Sequence, residues 1–123
     1  MYTIFDIHVL VSYKVELMDE AKEFLLSLEA KLKAKSLRTI ELLEELGIEL
    51  REPFSKKISG KKDLFELRIK HGSNICRFFY FFTQGKIIIL TSGFIKKQTK
   101  TDADQITKAN TLMRQYKNEN NHK

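Results

Sequence analysis

The 123-residue sequence predicts an α+β fold. An antiparallel sheet, made of an N-terminal strand and a C-terminal three-stranded meander, packs against an N-terminal helical hairpin, and a C-terminal helix follows. Three observations carry that expectation. Residues 64–97 contain three short runs rich in β-branched and aromatic residues (64–70, 75–83 and 86–92), separated by Gly72-Ser73-Asn74 and Gln84-Gly85, the spacing of an antiparallel meander. Residues 4–15 alternate, with Phe5, Ile7, Val9, Val11, Tyr13 and Val15 on one face, as a strand with one side on a core must. Between these two regions, apolar residues recur at helical spacing from Asp19 to Leu46 with neither Pro nor Gly to interrupt them.

The elements follow in order. In the first strand Asp6, His8, Ser12 and Lys14 take the polar side, so His8 reads as a strand residue rather than a ligand. Asp19 is placed to cap the first helix, and Glu20 and Glu23 favour its positive end. Ala21, Phe24, Leu25, Leu28 and Leu32 form one stripe; Leu37, Ile40, Leu43 and Leu46 form another after a change of phase. One long helix satisfies the first condition, and a hairpin bent near residues 29–31 satisfies both. Gly47 stops the helix. Pro53 bars a central strand, leaving residues 54–58 as a short edge strand whose Lys56 and Lys57 serve as edge protection or join a basic face. Thr101-Asp102-Ala103-Asp104 reads as a capped helix start. Ile106, Ala109, Met113 and Tyr116 give that last helix a narrow stripe, and residues 118–123 form a polar tail. The length suits a single domain over residues 1–123.

Pairing arithmetic places charge on the meander. With Gly72-Ser73 as a two-residue loop, His71 pairs with Asn74 and Arg68 falls opposite Arg77. With Gln84-Gly85 closing the second hairpin, Arg77 lies beside Ser92, and the chain leaves through Gly93-Phe94-Ile95-Lys96-Lys97. Opposed like charges cost a sheet a few tenths of a kcal/mol or more. An anion is therefore expected beside them: Glu66 on the same face, or a phosphate from a ligand.

The charge distribution supports the same region. Residues 1–55 carry seven Lys/Arg against eleven Asp/Glu, a net of −4; residues 56–100 carry eleven against two, a net of +9. An acidic helical layer beside a basic sheet is the footprint of a nucleic-acid binder, and equally of a receiver for an acidic protein. The one cysteine, Cys76, excludes an internal disulfide framework and suits a reducing compartment; it reads as a packed strand residue. No apolar run approaches the ~20 residues of a membrane span, and the N-terminus has no basic region or small-residue cleavage site. A cytoplasmic location is expected.

The ordered motifs Lys-Lys-Ile-x-Gly, LFELRI, RFFYFF and GFIKK followed by QTKTDADQITKA resemble the HigB/RelE toxin superfamily, closest to its phage-derived HigB-like branch. The resemblance spans about residues 19–116. It implies a RelE-like fold and a toxin of a type II toxin–antitoxin pair that cleaves mRNA in the ribosomal A site. The partners it implies are mRNA, the ribosome and a cognate helix-turn-helix antitoxin, with operator DNA reached only through the antitoxin. No cofactor or metal is implied. The family's central-strand arginine falls on Arg77, the arginine of L-x-E-L-R on Arg68, and the basic pair after the last strand on Lys96 and Lys97. Lys57 matches a frequent basic position; Lys56, Lys61, Lys62, Lys70 and Lys100 complete the candidate RNA-contacting set. Relatives with a His–Tyr pair after the last strand have residues 94–97 here, so no imidazole base stands beside Arg77.

Attack of a ribose 2′-hydroxyl on phosphorus needs a base, a stabiliser of the phosphorane charge and an acid for the leaving oxygen. Arg77 suits the stabiliser because a guanidinium holds two phosphate oxygens at once. Arg68 is a second clamp, and Lys96 or Lys97 the acid or base. Tyr80 alternates to the other face and, like Tyr116, reads as core. So sparse a catalytic set fits an enzyme that relies on the ribosome to hold its substrate in line. Two other readings use the same basic sheet: a non-catalytic RNA- or ribosome-binding module, and a protein-interaction module.

Overall fold

A computed structural model describes residues 12–96 and 102–120. Its sheet has five strands: β1 (Lys14–Leu17), β2 (Ser55–Lys57), β3 (Phe65–His71), β4 (Asn74–Thr83) and β5 (Ile87–Lys96), in the order β1-β5-β4-β3-β2. Helices α1 (Asp19–Ser27) and α2 (Ala30–Leu46) precede β2, and α3 (Ala103–Asn120) follows β5. The α+β expectation and the meander hold.

Alternation along β4 sorts the core into two layers. Leu67, Ile69, Cys76, Phe78, Tyr80, Ile88 and Leu90 face α1 and α2, where Ala21, Leu25, Leu32 and Leu43 meet them. Leu64, Phe79, Phe81 and Ile89 face the other way, onto Ala109 and Met113 of α3. Phe78, Phe79, Tyr80 and Phe81 are all at most 1% exposed, each burial supplying about 1.5–3 kcal/mol. β4 is thus buried on both faces, and this fixes the register of its neighbours.

The region after Asp19 is two helices. Leu28 and Glu29 are both extended, at ψ 150° and 160°, which breaks the helix at the start of the expected bend. Met18, not Asp19, occupies the cap position, without a side-chain capping bond; Asp19 lies in the first turn. The 54–58 segment is an edge strand, paired antiparallel with β3.

The first strand differs from expectation. Of the run over residues 4–15, residues 4–11 lie outside the described residues, and the described strand is the short β1. It runs parallel, not antiparallel, to β5, with Val15 beside Ile88 and Leu17 beside Leu90. The cause lies in what comes next. The Met18 N–H donates to the Leu90 carbonyl at 2.9 Å, and the chain passes straight into α1, whose Phe24 ring rests on Gly93 of β5. A β1 of opposite direction would deliver α1 to the other end of β5. Glu44 of α2 covers the outer side of β1: its carbonyl accepts from the Tyr13 N–H at 2.8 Å and its carboxylate from the Val15 N–H at 2.9 Å, protecting a sheet edge.

The first hairpin has the expected register, with His71 opposite Asn74 and Arg68 opposite Arg77. The second does not. Thr83 pairs with Ile87, and Arg77 pairs with Phe94 rather than Ser92. The loop takes three residues, with Gly85 and Lys86 at φ 76° and 60°. A bulge follows, since Tyr80 pairs with Leu90 but Phe79 with Ser92, leaving Thr91 as the extra residue. Beyond the bulge the combined slip is two residues, so Ser92, Phe94 and Lys96 keep the face of Arg77, while the residues between loop and bulge, slipped by one, change theirs.

Candidate anion-binding site

The register sets three rows across the face that carries α3. Lys70, Ile75 and Lys96 form the outermost row, Arg68, Arg77 and Phe94 the next, and Lys56, Glu66, Phe79 and Ser92 the third. α3 packs on the sheet from the third row onward, against Phe79, Phe81 and Ile89. One end of the face is left basic.

Its centre is Arg77, 8% exposed. One terminal nitrogen, Nη1, donates to Glu66 Oε2 at 3.2 Å and to Asp102 Oδ2 at 3.0 Å. Arg68 Nε lies 3.5 Å from the other Glu66 oxygen, and Lys96 Nζ 3.4 Å from Asp102 Oδ2. Three cations and two carboxylates therefore interlock with one positive charge in excess. The opposed arginines are tolerated because Glu66 lies between them, 5% exposed. Buried charges persist only when paired in this way. Arg77 Nε is buried with no hydrogen-bond partner among the described residues.

Phe94 sits half-buried beside Arg77 and stacks on Phe79, ring centroids 5.8 Å apart and 16° from parallel. The site thus couples guanidinium groups to an aromatic ring, the two elements that hold single-stranded nucleic acid.

The structure brings Arg68, Arg77 and Lys96 together. Lys97 and Lys100 lie outside the described residues. Lys70 and Lys56 share the face by register, whereas Lys57 pairs with Phe65 and alternates to the hairpin side. Lys61 is half-buried and Lys62 exposed in the connection between β2 and β3. His71 is on the hairpin side too, its Nε2 3.4 Å from Glu29. Asp102 is the residue that sequence reasoning missed as part of the site: it read only as a helix start. Its carbonyl does accept the Ile106 N–H at 3.0 Å, while its carboxylate turns to Arg77 and Lys96.

Other reactive side chains belong to the core. Cys76 is buried on the hairpin side 3.9 Å from Ser36 Oγ; burial pushes its thiol up to about 11, against a smaller lowering by Ser36. Tyr80 is bonded to Ser55, and burial raises its phenol. Among the described residues no cluster of His, Cys, Asp and Glu could hold a metal ion, and no helix is long and apolar enough to cross a membrane.

A family model described as Phage derived protein Gp49-like matches residues 23–114. Among solved structures, the fold is similar to that of an arginine-to-alanine double mutant of E. coli toxin RelE in the free state. The TM-score is 0.60 at 14% identity, over 82% of this chain and 96% of that one. It is also similar to the archaeal RelE–RelB complex from Pyrococcus horikoshii OT3, with a TM-score of 0.54 at 23% identity, over 73% of this chain and all of that one. No curated protein sequence matches the chain.

Proposed function

The chain belongs to the phage-derived Gp49-like family, and from that membership and its RelE-like fold we propose that it is the toxin of a type II toxin–antitoxin pair. It acts in the cytoplasm as a ribosome-dependent mRNA endonuclease, cutting translated mRNA in the A site, and a cognate helix-turn-helix antitoxin restrains it. The observation that carries this reading is Arg77: a buried guanidinium with an unused donor, flanked by Arg68, Lys96 and Phe94 at the open end of the sheet.

The geometry supports a division of roles. The Arg77 guanidinium holds the non-bridging oxygens of the scissile phosphate and stabilises the charge of the phosphorane. Arg68, 29% exposed at its side chain, clamps the neighbouring backbone. Glu66, whose oxygens touch both arginines, serves in this reading as the base that takes the 2′-hydroxyl proton. The new O2′–P bond displaces the 5′ oxygen, and the Lys96 ammonium supplies its proton. The products are a 2′,3′-cyclic phosphate and a 5′-hydroxyl end. Phe94 offers a ring for a base, and Lys56 and Lys70 extend the backbone track.

The test is induction of wild type and Arg77→Ala in bacteria, with growth curves and 5′-end mapping of transcripts. Growth arrest with in-frame cuts in translated mRNA is expected. The variant should lose about 10²–10³ of the cleavage, the usual cost of removing one donor to a transition-state oxyanion. One observation favours a second reading: both carboxylates already neutralise Arg77. Arrest without cuts would make the protein a non-catalytic ribosome or RNA binder on the same face.

A further inference from the structure

We infer that Asp102 is a built-in stand-in for the RNA phosphate: in the free chain it occupies an anion position on Arg77 and Lys96, and a phosphodiester binds by displacing it together with the start of α3. This rests on the reading of the Arg77 cluster as a phosphate site.

The two carboxylates at Arg77 differ in how they are held. Glu66 stands in the middle of β3, paired with Lys56 on one side and Phe79 on the other, so its backbone is fixed by two ladders. Asp102 belongs to no ladder of the sheet and reaches it, among the described residues, through its carboxylate. It precedes α3, and its Oδ2 is shared between Arg77 at 3.0 Å and Lys96 at 3.4 Å. Its side chain is 16% exposed against 7% for Glu66. Of the two, Asp102 can leave without breaking the sheet.

The donors favour a better-furnished anion. Glu66 and Asp102 both bind Nη1 of Arg77, while the buried Nε has no partner among the described residues. A phosphodiester presents two oxygens that share one negative charge, so where Asp102 meets Arg77 Nη1 and Lys96 Nζ with the single oxygen Oδ2, a phosphodiester in its place can give each cation an oxygen of its own. The exchange is also isoelectric. One negative charge leaves and one enters, so the cluster keeps its single excess positive charge and no cation is stranded in a buried setting.

The cost is a lowered apparent affinity, since only the open fraction binds. Inorganic phosphate and a non-cleavable 2′-O-methyl single-stranded oligonucleotide are the probes. Anisotropy of the labelled oligonucleotide should show Asp102→Asn binding about 10-fold tighter than wild type, as expected when a site closed roughly nine-tenths of the time is opened. Arg77→Ala should bind at least about 10-fold weaker. If Arg77→Ala binds weaker but folded Asp102→Asn does not bind tighter, the stand-in role is overturned and the phosphate site survives. If Arg77→Ala binds as wild type does, the phosphate site itself is overturned. A second measurement needs no variant: in ¹H–¹⁵N spectra of the wild-type chain titrated with inorganic phosphate, the Arg77 Nε–H and the Asp104 amide should shift with one saturation curve. A shift of Arg77 alone would overturn the displacement.

Discussion

The two faces of the sheet are cut from the same strands and closed differently. The hairpin-side face is covered by α1 and α2, and its polar groups are paired internally, Ser36 with Cys76 and Ser55 with Tyr80. The opposite face is covered by α3 over its apolar part, and its end carries Arg68, Arg77, Glu66 and Lys96. Neighbours in β4 therefore do different work: Phe78 closes a core and Arg77 anchors a charge cluster. Because side chains alternate with period two, one strand separates the apolar core from the charge cluster at single-residue resolution.

The largest expected effect sharpens that division. Phe78→Ala should lower unfolding free energy by about 3–5 kcal/mol, the range for deleting a buried phenyl, measured by urea titration. Oligonucleotide affinity of the fraction that remains folded should stay within about 2-fold, as Phe78 points away from Arg77. A comparable loss of affinity would break the comparison.

Cys76 gives the next effect, and it depends on pH. Burial raises its thiol from 9.0 to about 11, so the neutral form is favoured in the folded chain. Its stabilisation is complete below pH 9, where both states are protonated, and is lost as pH rises through 11, where the unfolded thiol ionises first. A shift of about two pH units makes the loss across that window on the order of 2 kcal/mol. The measurement is the difference in urea stability between wild type and Cys76→Ala from pH 8 to 11. The wild type should lose its advantage across that window; a flat difference would mean that the thiol is solvated in the fold.

How much of this the sequence revealed depends on whether the determining contacts are local. The meander and the first hairpin register were legible down to Arg68 opposite Arg77, because a Gly-Ser turn and a period of two decide them. The second register slipped by two, since a left-handed Lys86 and a bulge at Thr91 carry no signal in residue type. The direction of β1 was not legible because it depends on where α1 must land, with Phe24 against Gly93 of β5. That residue lies far along the chain and has room for the Phe24 ring only because it lacks a Cβ. Asp102 was invisible as a site residue for the same kind of reason. It stands 25 positions from Arg77, and only the packing of α3 across the sheet brings its carboxylate to the guanidinium. Glu66 was legible as the counter-charge, being two residues from Arg68 on one strand.

A smaller effect tests whether the charged end is neutral ground for stability. Glu66→Ala leaves Arg77 with Asp102 alone and Arg68 without its partner. The expected cost is about 1–3 kcal/mol, the penalty for stripping a partner from buried donors, and unfolding in urea reads it. Adding 0.5 M phosphate should recover part of that loss if the emptied position accepts an anion. Recovery no greater than in equal ionic strength of chloride would argue that the cluster is only a structural lock.

The smallest effect on stability separates the two arginines of the opposed pair. Arg68 has 29% of its side chain exposed, and its bond to Glu66 is 3.5 Å, so solvent screens the pair and its worth lies between about 0 and 1 kcal/mol. Arg68→Ala should therefore unfold within about 1 kcal/mol of wild type, even though it removes one of two facing guanidinium groups. The same truncation relieves like-charge repulsion across β3 and β4, which offsets part of the lost ion pair. Its larger consequence should be in binding: one fewer phosphate contact lowers the slope of log affinity against log salt by about 0.7 for a single strand. A salt slope equal to that of wild type, with stability unchanged, would remove Arg68 from the RNA track and leave Arg77 to carry the site with Lys96.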